Sequence, residues 1–299
     1  GTSGSFSSAS GVVNNGTLTF GTRSADYTLA QAMSGNGNLI SNLGSGRTLF
    51  LTGANTYTGT TTINSGIVNM GNGGSTGMIG AAAVTIASGA ELQIARSDDI
   101  TLFNSISGAG KITLGGAGKI TLDSTSSINI TGELKFGTSA GSAVHSALDL
   151  TNASVSVGTF KVQTDATANT ALYNSIIIGA GKSLTVNGLT TIGLDNTSNP
   201  TTNLTMTGEG TFNIGTSTTA TNANVNVGAS ISASRVNYVN WDMSGLTNLV
   251  MNLGTGTFNI GADVNSTGTS NGIGSGVTVK LAKNSTVTAT TLTMDSQDA

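Results

Sequence analysis

His145 is the single imidazole of the 299-residue chain, and Asp98-Asp99 is its single pair of adjacent carboxylates. An imidazole beside a hydroxyl and a carboxylate is the minimal set for acyl transfer, because it takes the proton from the attacking oxygen. Two carboxylates whose environments differ can divide acid and base roles in glycoside cleavage. Neither set is completed by its surroundings. His145 lies in SAVHSALDL, beside an alternating apolar stretch with no cue pairing it to a nucleophile. Asp98-Asp99 lies in ARSDDITL, immediately before Ile100 and Leu102. The first reads as an imidazole at the edge of a strand and the second as a solvated turn, so no catalytic residue is assigned.

Metal and cofactor chemistry finds no better footing. Glycine-rich calcium turns need Asp at a fixed spacing; GNGGSTG, residues 71–77, has the glycines and no Asp. Cysteine is absent, which removes disulfides and thiolate ligands. No cofactor and no metal are expected. Tyr238 and Trp241, in RVNYVNWDM, form the densest aromatic cluster and are the candidate ligand or partner contact, because exposed aromatics give contact area at low entropic cost. The competing reading makes them filler inside a wider coil. Only 8% of residues are charged, the net charge is −3, and the basic residues are scattered, so no stripe exists to track a phosphate backbone and no nucleic-acid partner is expected. No run of 18 apolar residues is long enough to span a membrane as a helix.

These side chains must be positioned by short strands. Two apolar residues separated by one polar or small residue recur down the chain, closed each time by Gly or Asn. Examples are Leu49 and Leu51, Val68 and Met70, Val84 and Ile86, Leu92 and Ile94, Leu184 and Val186, and Phe258 and Ile260. Alternation over three to five residues means a strand with one buried face. GAGKITL occurs at 108–114 and again at 116–122, while TFNIG occurs at 211–215 and 257–261. Repetition, very short strands and only 4% aromatics favour a solenoid over a sandwich or barrel. The expected fold is all-β, a right-handed parallel β-helix (β-solenoid) with two or three strands per coil of about 20 to 25 residues. At ~4.8 Å per coil that makes on the order of a dozen coils and a rod roughly 60 Å long. Within LTGANTYTGTTTINSG, residues 51–66, Gly53 to Gly59 is expected to be a turn between strands.

The segment TLFLTGANTYTGTTTINSGIVNMGNG, Thr48 to Gly73, resembles the passenger-associated transport repeat of autotransporter proteins, and GAAAVTIASGAELQI, residues 80–94, is similar to the stretch that often succeeds that repeat. Thr60 departs from the pattern, which has a second Gly there. The resemblance implies an exported β-helical passenger segment of a Gram-negative bacterium, found at the cell surface or secreted across the outer membrane. It also implies a membrane barrel, the only route to membrane contact, that lies outside this sequence. The amino-terminal GTSGS has the Gly-x-Ser-Gly order found around the nucleophile of trypsin-like passenger proteases, but reads as a terminal linker.

The expected organisation is one elongated β-helix over 1–299, a fragment of a larger exported protein, with the repeat-like segment at 48–94. The expected function is non-catalytic: an adhesin, surface coat (surface layer), filament or spacer, self-assembling through lateral or end-to-end contacts and engaging a host-cell or glycan ligand. The alternatives are a polysaccharide-degrading β-helix enzyme using Asp98 or Asp99, and a glycan-binding module using Trp241. Thr-x-Thr pairs at Thr17 and Thr19 and at Thr291 and Thr293 do not recur at a constant period, so a flat ice-binding rank is not expected.

Overall fold

The computed structural model describes residues 11–137, 145–162, 171–193, 201–215, 223–228, 238–261 and 276–294. The chain divides into two compact units, Gly1–Gly132 and Glu133–Ala299. Both are parallel β-helices: among the described residues every element is a strand, and within each unit the strands pair in parallel with their counterparts in the next coil.

In the first unit the alternating pairs seen in the sequence become columns. Leu49, Val68, Leu92 and Ile112 are successive register mates, as are Leu29, Leu51, Met70, Ile94 and Leu114. On the facing wall Thr61, Val84, Ile106 and Ile128 continue one column, and Ile63 and Ile86 another. These side chains are buried because period-two alternation sends them inward and the coils above and below cover them. The coil advances by 21 residues from Thr17 to Asn38 and by 23 from Thr61 to Val84, as the sequence spacing leads one to expect.

Residues 53–59 are more than a turn. Thr52, Thr56 and Thr58 donate backbone N–H bonds of 3.1, 2.7 and 2.9 Å to Leu29, Met33 and Gly35 of the preceding coil, so this segment is a hydrogen-bonded third wall. Its side chains explain its composition. The Asn55 side chain accepts from the Met33 N–H at 2.8 Å and donates to the Met78 carbonyl at 2.7 Å, tying the coil before it to the coil after it. Tyr57 is buried, with its hydroxyl 2.7 Å from the Thr61 hydroxyl, and burial pushes the phenol's pKa up. Thr60, the departure from the repeat pattern, fits without a positive φ and bonds the Asn38 side-chain oxygen through both its N–H (2.9 Å) and its hydroxyl (3.0 Å).

The second unit corrects the expected coil length. Leu184 pairs with Phe212, 28 residues on, and Phe212 with Leu249, 37 residues on. Its strands are also longer than the three to five residues expected, reaching Thr201–Ile214 and Tyr238–Asn252, where two short strands run together into one. The interior holds a chain of edge-to-face rings: Phe136 to Phe160 at 5.8 Å, Phe160 to Phe212 at 6.1 Å and Phe212 to Trp241 at 6.2 Å. Such pairs add to the area they bury because ring edges meet ring faces.

Glycine marks where coil backbones approach most closely. A Cβ on Gly59 would stand 2.2 Å from the Gly37 carbonyl oxygen, and one on Gly37 would stand 2.4 Å from that of Gly16; Gly16 itself has open space. None of these three has a positive φ, so the requirement is room rather than backbone conformation. Gly59→Ala is therefore expected to destabilise the first unit by roughly 1–3 kcal/mol through overpacking, whereas Gly16→Ala in the same column stays within about 0.5 kcal/mol of the parent. Denaturant unfolding of the two variants checks this, and equal losses would contradict it.

Candidate functional site

The adjacent carboxylates are occupied by structure. Arg96 is buried and grips Asp98 through two parallel bonds, from Nε to Oδ1 at 2.8 Å and from Nη2 to Oδ2 at 2.9 Å. The same guanidinium donates to the carbonyls of Gly77 (2.7 Å) and Ser75 (2.5 Å), pinning the glycine-rich 71–77 segment against the coil. The hydrogen bond from Arg96 holds the Asp98 carboxyl below its ordinary pKa, the opposite of what a proton-donating acid needs. Asp99 accepts the backbone N–H of Lys119 at 2.8 Å. The Arg96–Asp98 pair, two residues apart on one strand exit, was the signal in the sequence that Asp98 has a structural partner.

Other carboxylates cap corners in the same way. Asp123 accepts from the N–H (2.9 Å) and hydroxyl (2.7 Å) of Thr125, and those bonds lower its pKa. Asp149 does the same with Thr151, and Asp242 with Ser244. Asp242 is also reached by the Lys280 ammonium of the next coil at 2.9 Å. With the Ser244 hydroxyl as the largest cause and Lys280 next, its pKa falls to about 2.

The exposed chemistry of the second unit gathers elsewhere. The His145 ring stacks on Tyr173 with centroids 5.2 Å apart and planes 11° from parallel, and Tyr173 is 51% exposed. Tyr173 is the register mate of Asn203, which in turn pairs with Asn240, so the outward column runs from aromatic to amide side chains. Tyr238 is half-exposed and lies two residues before Asn240 on the same strand. Trp241, the other expected contact, is corrected by the structure: it is fully buried and donates from Nε1 to the Met206 sulfur at 3.4 Å. Alternation explains both outcomes, since Trp241 falls on the inward phase of its strand and Tyr238 on the start of the outward one. Tyr173 was missed in the sequence, although LYNSIII puts it out of phase with Leu172, Asn174 and Ile176 and hence outside.

The GTSGS segment lies outside the described residues. Thr19 is followed in register by Ile40, so no threonine rank starts there, and Thr293 pairs with Asn259. Among the described residues no group of three or more His, Asp or Glu side chains is placed to hold a metal ion, and no helix is long and apolar enough to cross a membrane.

Because the folded-state pKa of Asp242 is depressed, its stabilisation is fully present above the unfolded-state value near 4 and is lost as pH falls toward 2. Lys280 is more than half exposed, so screening reduces the effect to about 1 kcal/mol. Asp242→Asn is expected to lower stability by that amount at pH 6 and to leave it near the parent value at pH 2, read by denaturant midpoints at both conditions. Comparison of the chain with protein family models, with curated proteins and with solved structures finds no match.

Proposed function

We propose that the chain is a non-catalytic β-helical passenger segment, displayed at the surface of a Gram-negative cell or released from it, that serves as an adhesin, coat, filament or spacer. The observation that carries this reading is the use made of the acidic side chains. Asp26, Asp98, Asp99, Asp123, Asp149 and Asp242 each accept hydrogen bonds that hold coil backbones or corners, and Glu91 pairs with Lys111 of the next coil at 2.9 Å. Asp98, Asp123 and Asp242 are in addition held below the ordinary carboxylate pKa, which makes them poor proton donors. The repeat-like segment supports the passenger assignment, because its Asn55, Tyr57 and Gly59 all serve coil stacking rather than a ligand.

The glycan-binding alternative is favoured by one feature, the exposed His145 and Tyr173 rings with amide side chains along the same column. In this reading the contact lies on the outer face of the second unit instead of at Trp241.

Two measurements test the proposal. Placed ahead of an outer-membrane barrel translocator in a Gram-negative host, the chain is expected to become accessible to protease added to intact cells; retention in the periplasm behind a correctly inserted barrel would count against the passenger assignment. Incubation with acidic and neutral polysaccharides is expected to yield no new reducing or unsaturated ends. Turnover that disappears in Asp99→Asn would overturn the non-catalytic reading.

A further inference from the structure

Charge is segregated by wall. In the first unit Thr17–Phe20, Asn38–Asn42, Thr61–Ser65, Val84–Ile86, Ser105–Gly108 and Ser127–Ile130 stack into one wall, and none of these strands contains Asp, Glu, Lys or Arg. The wall of Leu92 and Ile112 carries Glu91 and Lys111, and another strand opens on Lys119. The second unit repeats the division in coils of its own. Ser156, Thr185, Asn213, Val250 and Thr286 are successive register mates, and the paired stretches around them hold no charge. Its other walls carry Lys135 and Lys161, and Asp149, Asp242 and Lys280. Lys182, Glu209 and Lys283 stand just before the uncharged wall, where the chain bends into it.

The outward column of the first unit's wall runs Thr19, Ile40, Thr62, Thr85, Ser107 and Asn129 in unbroken register. Thr19, Thr85, Ser107 and Asn129 are exposed, and Ile40 and Thr62 half-buried, so this face is open. Two properties select its partner. A face that meets its own copy across a two-fold axis sets each side chain near a like one. Any charge there would be repelled, whereas a hydroxyl or an amide both donates and accepts and so matches itself. The rows also recur every ~4.8 Å, and a surface of any other period drifts out of step within a few rows. A second copy has that period.

We propose that the uncharged wall of each unit is the surface on which a second copy of the chain packs, wall against wall, so that copies associate side by side. The proposal rests on the coat or filament reading above and names the face that would build it. In the first unit the wall spans roughly 24 Å along the coils, five spacings of ~4.8 Å. One such contact belongs with weak, transient interfaces. Copies crowded on a surface add many of them, so a layer holds where a single pair would part.

Sedimentation of the full chain from micromolar to millimolar protein tests this. The parent is expected to associate reversibly within that range. Thr85→Lys combined with Thr185→Lys puts like charges on the wall and is expected to weaken association at least about tenfold. Thr101→Lys combined with Thr205→Lys adds the same charge at exposed positions on other strands and is expected to associate as the parent does. Unfolding midpoints equal to the parent's show that both double variants are folded. A parent that stays monomeric at millimolar protein, or equal association by the two double variants, overturns the proposal. A monomeric chain that still reaches the surface of intact cells sinks this inference alone, whereas a chain that associates but stays in the periplasm sinks the passenger reading alone.

Discussion

Parallel backbone hydrogen bonding between successive coils, about 4.8 Å apart, is the constraint on which the rest of each unit depends. It makes every residue the stacking partner of a residue one coil away, so each side chain must tolerate a near copy of itself above and below. Inside, aliphatic side chains satisfy that condition by burying one another's area. Outside, an amide does so because it both donates and accepts. Asn42 and Asn64 bond at 2.8 Å, Asn226 and Asn259 at 2.8 Å, and Asn248 and Asn284 at 3.2 Å. A stacked carboxylate would repel its copy. A low charge content suits stacking: the stacked Lys111–Glu91 and Lys280–Asp242 pairs are of opposite sign, and Lys135 and Lys161 are the like-charged register mates that run against this pattern.

The same constraint distributes the polar interior. Asn14, Asn55 and Asn104 are buried, and each spends its amide on backbone groups of other coils: Asn14 on the Asn38 carbonyl, Asn104 on those of Gly80 and Ala82. A buried amide is tolerable when it is bonded and costly when it is not. These asparagines therefore serve where a wall lacks alternating apolar residues. The second unit uses its scarce aromatics differently, staggering them from coil to coil so that ring edges meet ring faces without any one layer being overfilled.

Much of this was legible from alternation alone. Pairs such as Leu92 and Ile94 or Leu184 and Val186 announced strands, and their brevity announced coils. The wall at 53–59 was not legible as structure because its contacts come from backbone groups and Asn55, neither of which leaves an apolar period. Coil length in the second unit was hidden by additional residues between the strands, which lengthen the repeat without disturbing the columns. Trp241 was misplaced because aromatic density was weighed before strand phase. The same phase rule, applied to Tyr173, identifies the outward ring that the candidate surface contains. Asp98 was read as a solvated turn, and its partner was already visible two residues away in Arg96, whose guanidinium grips it at the bend between strands.

Solenoids are commonly treated as chains of links in which each repeat feels only the adjacent one. Asn55 loads both of its adjacent contacts onto one side chain, which holds Met33 on one side and Met78 on the other. Under tension, peeling one layer from its neighbour would loosen the grip on the layer beyond it. At this one place three successive layers share a single stitch, so they are the block expected to part together.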